Sequence, residues 1–125
     1  MRPLSDLPRA VATGAHTVFS DIDDTLTTDG RLTPPAYAAM DALQRAGLRV
    51  ILITGRPAGW CDHIGRMWPV DGVIGENGAF YCWHDAAAHK LQCRHLLNAT
   101  ERSAHAARLA RVRDTILREV PGSAV

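Results

Sequence analysis

Residues 16–28, HTVFSDIDDTLTT, decide the fold: a short apolar run, Thr17-Val18-Phe19, passes straight into three carboxylates and then a cluster of hydroxyls. Val18, Phe19 and Ile22 favour β structure, so residues 17–22 read as a buried strand whose C-terminal end carries Asp21, Asp23 and Asp24. Carboxylates crowded at a strand end repel one another unless a cation or shared protons lie between them. The stretch thus predicts a core strand with a chemically active end.

Working outward, Asp29-Gly30 signals a turn, and Thr33-Pro34 signals a helix start, with Thr33 as the cap and Pro34 in the first turn. Tyr37, Met40, Leu43 and Leu48 approximate a helical stripe and Gly47 supplies a stop, so the first helix is expected over residues 34–46. Val50-Ile51-Leu52-Ile53 is continuously apolar and β-rich, as expected of a parallel strand covered on both faces. It ends in Thr54-Gly55-Arg56-Pro57. A second helix over 58–67 and a third strand over 72–75 follow. This alternation makes an α/β fold with a right-handed, Rossmann-like parallel sheet the expected architecture. Residues 79–83 and 91–94 then read as a β-hairpin. Thr100 is expected to cap a long helix reaching residue 119, with Leu109, Val112, Ile116 and Val120 on one side. Its arginines, 102, 108, 111, 113 and 118, read as a solvated face partly paired with Asp114 and Glu119. Upstream, residues 1–14 contain Pro3, Pro8 and Gly14 and read as a loose leader.

Composition bounds the function. The chain has 125 residues, 46% apolar and 22% charged, which suits one globular domain with a modest core. A net charge of +1 argues against a dedicated nucleic-acid or membrane-surface protein. Cys61, Cys82 and Cys93 are odd in number and lack zinc spacing, so reduced thiols are expected rather than a disulfide frame. No apolar stretch reaches membrane-spanning length, and a cytoplasmic protein is expected. Oligomeric state is not set by the sequence.

The acidic turn has a specific chemistry. Asp21, at the C-terminal edge of a parallel strand, sits where open α/β sheets bind ligands. Mg²⁺ takes one or two protein carboxylates and completes its shell with water and phosphate oxygens, so Asp21 and a neighbouring main-chain oxygen suffice beside a phosphate ester. An aspartate can also attack phosphorus and divide one hard displacement into two easier ones. Asp23 is placed to protonate the leaving alcohol and then activate water. A calcium loop is excluded, because counting from Asp21 puts Leu26 at the required Gly and Leu32 at the required Glu. A purely structural acidic turn is the remaining alternative.

Phe19-Ser20-Asp21-Ile22-Asp23-Asp24-Thr25-Leu26 resembles the first motif of the haloacid dehalogenase (HAD) superfamily, DxDx[TV]L after an apolar strand. The resemblance implies Asp21 as nucleophile and Mg²⁺ ligand, and Asp23 as general acid/base that lends its backbone carbonyl to the metal. It also implies that Thr25 stabilises the loop and that residues 27–31 form a flap over the site. Ile51-Leu52-Ile53-Thr54 resembles the second motif, whose hydroxyl binds the phosphoryl group. Thr54-Gly55-Arg56-Pro57 with Gly75-Glu76-Asn77-Gly78-Ala79 resembles the IIB branch, where both segments lie beside the substrate. Arg56 is then a phosphate or sugar contact, or a structural ion pair; Asn77 is a substrate contact or part of a tight turn.

By this resemblance residues 15–97 are the N-terminal part of a HAD-like core, and residues 98–125 begin a C2-type cap. The family's third-motif Lys and fourth-motif Asp do not follow. Lys90, the sole lysine, lies in the expected hairpin. The implied function is a Mg²⁺-dependent phosphomonoester hydrolase for small phosphorylated metabolites such as sugar phosphates. A phosphomutase and a catalytically incomplete phosphate-binding or interaction module are the alternatives. Trp60, Trp68 and Trp83 are expected to pack in a core or interface rather than stack on a sugar, and Cys61 is expected to be a packed thiol.

Overall fold

The computed structural model of the chain describes residues 3–124. Two short helical turns, Leu4–Asp6 and α1 (Arg9–Thr13), precede the sheet. Then come β1 (Thr17–Asp21), β2 (Thr27–Thr28), β3 (Arg31–Leu32), α2 (Pro34–Arg45), β4 (Arg49–Ile53) and α3 (Ala58–Met67). β5 (Gly72–Gly75), β6 (Phe80–Asp85), β7 (Lys90–His95) and α4 (Ala99–Glu119) complete the order. Two compact units result, one ending at Arg94 and one starting at His95.

The first unit is a five-stranded sheet in the order β1-β4-β5-β6-β7. β1 pairs with β4 and β4 with β5 in parallel, while β6 turns back antiparallel to β5. The three expected parallel strands and the hairpin are all present. Both crossovers step in the same direction across the sheet, so connections of one hand put α2 and α3 on one face.

Register explains which residues form the core. Val50, Leu52, Val73, Phe80 and Cys82 alternate onto the helix-covered face and pack with Met40 of α2 and with Cys61 and Ile64 of α3. Burying each large apolar side chain contributes roughly 1.5–3 kcal/mol. On the opposite face, Phe19 lies beside Ile51, and Ile53 beside Ile74 and Tyr81. Phe19 there is 61% exposed. The expectation of strands covered on both faces is therefore corrected: the described residues cover one face only. β1 is also unpaired on its outer edge among the described residues.

Local signals mostly act where the sequence places them. Thr33 occupies the position before α2 with Pro34 in its first turn, although its hydroxyl makes no capping bond. Gly47, at φ +83°, turns the chain out of α2 as only a glycine does readily. Gly75 is required by packing, since a Cβ there would run into the Phe80 ring and lie 2.7 Å from Cys61 Sγ.

Cysteine usage needs a correction. Cys82 and Cys93 are joined by a disulfide across β6 and β7, with Cα atoms 4.2 Å apart. Each lies three residues from its strand's turn-proximal end, so hairpin register makes them direct partners. Only Cys61 is a free thiol, and it is buried as expected. Burial, and then the nearby charge of Glu76, push its pKa up.

In the second unit, α4 starts from Asn98, not Thr100. The Asn98 side chain accepts from the Glu101 N–H at 3.0 Å, and Glu101 Oε2 accepts from the Asn98 N–H at 2.8 Å. A reciprocal pair satisfies two orphan donors where Thr100 would satisfy one, so the helix begins earlier. Arg113 pairs with Asp114 and Arg118 with Glu119, both on the solvated surface.

Candidate functional site

The acidic turn takes its shape from its backbone rather than from its carboxylates. The Ile22 carbonyl accepts from the N–H groups of Thr25, Leu26 and Thr27, at 3.4, 3.0 and 3.0 Å. It also accepts from Thr27 Oγ1 at 3.1 Å, and that hydroxyl accepts from the Asp24 N–H at 3.2 Å. The hydroxyl that locks the loop is thus that of buried Thr27, whereas Thr25, implied by resemblance, is exposed. Only the inward-facing member of the threonine cluster can reach the Ile22 carbonyl. Asp24 acquires a conformational role: it sits at φ +57°, a region that Asp tolerates better than most residues. Asp29 and Gly30, both at positive φ, then form the two-residue turn that joins β2 to β3.

Asp21 closes β1 opposite Ile53, so parallel pairing brings it to the end of β4, where Thr54 follows. Its carboxylate is exposed and enters no hydrogen bond or ion pair among the described residues. Thr54 is 1% exposed, and its hydroxyl accepts from the Arg56 N–H at 3.1 Å. The next loop is stitched to this one. Asn77 N–H donates to the Thr54 carbonyl and Glu76 N–H to the Arg56 carbonyl, each at 3.2 Å. Gly55 lies so close to the Asn77 side chain that a Cβ would approach its Oδ1 to 3.1 Å. Glu76, Asn77 and Gly78 stand consecutively at φ +49°, +56° and +97°, a left-handed bend that costs strain at Glu76 and recovers it through these contacts. Thr54, Gly55, Arg56 and Asn77 are therefore brought together.

Arg56 also crosses to the acidic turn. Its Nε donates to Asp23 Oδ1 and Oδ2 at 3.2 and 3.0 Å, and its Nη2 to Oδ1 at 2.6 Å. These hydrogen bonds, opposed by desolvation and helped by the guanidinium charge, hold the Asp23 carboxyl below the usual carboxylate range. The other side of the guanidinium lies over the Trp60 ring, 4.7 Å from its centroid. Trp60 is 52% exposed and lies outside the core, whereas Trp68 borders it. Trp83 stacks with Tyr81 at 5.8 Å. Sequence reading missed Thr27 and Trp60; the short spacing from Arg56 in the loop to Trp60 in the first turn of α3 is the signal that could have found the second.

The donor set suits a hard cation. The Asp21 carboxylate is unengaged, and the loop's backbone donors converge on the Ile22 carbonyl, leaving the Asp23 carbonyl outside that set. Mg²⁺ asks for no more protein oxygen than this when water and a phosphate fill its shell. No cluster of three or more His, Cys, Asp or Glu side chains that could hold a metal ion arises among the described residues. No helix among them is long and apolar enough to cross a membrane.

A family model described as haloacid dehalogenase-like hydrolase matches residues 18–111. A solved phosphatase of the haloalkanoate (HAD) enzyme superfamily from Bacteroides thetaiotaomicron superposes with a TM-score of 0.57 at 23% identity, over 90% of this chain and 40% of that one. A haloacid dehalogenase-like hydrolase from B. subtilis gives 0.56 at 23% identity, over 79% and 34%. A protein from Geobacillus kaustophilus gives 0.54 at 22%, over 78% and 37%. The chain thus shares their fold and spans well under half of their length. No curated protein matches it.

Proposed function

Because the chain belongs to the haloacid dehalogenase-like hydrolases, we propose that it carries the nucleophile-bearing part of a phosphomonoester hydrolase of the IIB branch. Asp21 would attack phosphorus, the bond from phosphorus to the ester oxygen would break, and Asp23 would give its proton to the departing alcohol. Asp23 would then take a proton from water as that water attacks the aspartyl-phosphate, releasing phosphate and restoring Asp21. The observation that carries this reading is the unengaged Asp21 carboxylate at the end of β1, beside the Thr54 loop.

Held by Arg56, Asp23 is poised in its ionised form, which suits the second step; proton donation in the first requires Arg56 to give up part of its grip. Backbone N–H groups after Thr54, with its hydroxyl, would meet the phosphoryl oxygens, and Gly55 and Asn77 would keep that loop in shape. Mg²⁺, held by the Asp21 carboxylate and the Asp23 carbonyl, would supply Lewis-acid charge for those oxygens. We assign α4 to the start of a C2-type cap, and take the partner to be a small phosphorylated cytoplasmic metabolite, such as a sugar phosphate.

The second reading is a phosphate-binding or interaction module without turnover. It is favoured by the Arg56 grip on Asp23, which opposes the protonated form that a general acid needs. Mg²⁺-dependent release of phosphate from p-nitrophenyl phosphate and a sugar-phosphate panel supports the first reading. Phosphate moved within the sugar identifies a mutase. Phosphate binding by ³¹P NMR without release selects the module.

A further inference from the structure

We propose that Trp60 is a positioning residue for Asp23, acting through Arg56. The inference rests on the functional reading above and assigns a residue that neither motif contains. Trp60 stands in the first turn of α3, half in solvent, and its ring does not enter the core that Trp68 borders. Its ring contact is the Arg56 guanidinium, 4.7 Å from the centroid. That same guanidinium spends Nε and Nη2 on the Asp23 carboxylate.

The reason a third group matters is the exposure of the pair. The Arg56 and Asp23 side chains retain 35% and 42% of their accessibility. An ion pair this wet gains little over separately hydrated ions and must also freeze a long side chain. A guanidinium lying on an aromatic face has already lost much of that freedom and gains attraction from the ring. Trp60 thus raises the fraction of time that Arg56 points at Asp23. The three residues share one recess of about 140 Å³, with Ile22 and Trp68 among its walls and Gly30 of the β2–β3 turn at its border. Arg56 therefore has room to leave when the ring is removed.

The test uses the whole chain at fixed neutral pH, with Trp60→Ala and Trp60→Phe. In the wild type and in Trp60→Phe, the Arg56 side-chain Nε–H should give a protected NMR signal; in Trp60→Ala it should broaden by solvent exchange. With Mg²⁺ and p-nitrophenyl phosphate, Trp60→Ala should lower kcat by about tenfold with little change in KM, the size of effect one cation–π contact supports, and Trp60→Phe should restore it. An Arg56 signal unchanged in Trp60→Ala overturns the inference, as does an equal kcat loss in both variants. If no variant or wild-type chain turns over substrate, the hydrolase reading fails, and the Arg56 signal alone still decides the role of Trp60.

Discussion

Arg56 grips Asp23 with two nitrogens, at 3.0 Å to one carboxylate oxygen and 2.6 Å to the other, across 33 residues of chain. The pair joins the acidic turn after β1 to the loop after β4. Its pH dependence follows from the lowered Asp23 pKa. Both folded and unfolded Asp23 are ionised above the unfolded value, about 3.9, so the stabilisation is complete there. It is lost as pH falls through the lower folded value. The stability difference between wild type and Arg56→Gln should therefore be constant at neutral pH and shrink in strong acid to what the Trp60 contact contributes; a pH-independent difference in denaturant titrations would contradict this.

Asp21→Asn should leave the fold intact, since its carboxylate holds nothing in place. Turnover should drop by on the order of 10⁴ or more, as when a covalent nucleophile is removed. Asp23→Asn should cost about 10²–10⁴, the range for a general acid/base. Circular dichroism and phosphate release measured together separate loss of chemistry from loss of structure, and retained turnover in Asp21→Asn refutes the covalent route.

Gly75→Ala should destabilise the first unit by roughly 1–3 kcal/mol, the usual cost of overpacking. The added methyl would be driven against Phe80 and Cys61, and both belong to the core. Urea unfolding measures it; Gly59→Ala, where a Cβ meets nothing within 4 Å, is the control expected to show no loss.

Alkylation under denaturing, non-reducing conditions should modify one cysteine, Cys61, and reduction should expose all three. The Cys82–Cys93 bond closes a short loop, with a sequence separation of 11, so its reduction should cost up to about 3 kcal/mol of stability on a chain-entropy account. Three reactive thiols without reductant would remove the bond from the solution structure.

Much of this was legible in the sequence because the signals were local. The β-rich runs at β1, β4 and β5, the breaker Gly47, and the Asp29-Gly30 turn each act over a few residues. What the sequence concealed depended on alternatives that differ by position within the same chemistry. Thr25 and Thr27 offer the same hydroxyl, and only the direction of the chain after Asp24 selects Thr27. Asn98 and Thr100 are both good caps, and Glu101 decides between them by its distance. The disulfide needed the hairpin register, which cysteine spacing does not carry. The Arg56 contact of Trp60 was hidden because an aromatic ring is equally suited to apolar packing and to a cation, and Arg56 becomes a partner only once α3 has formed.

The convergence of three N–H groups and one hydroxyl on the Ile22 carbonyl means that the acidic turn would hold its form with Asp21 uncharged. Scaffold and reagent are separable there: the loop works as a socket, and Asp21 is a part fitted into it. Exchanging that one side chain rewrites the reaction the strand end can attempt without asking the chain to fold differently.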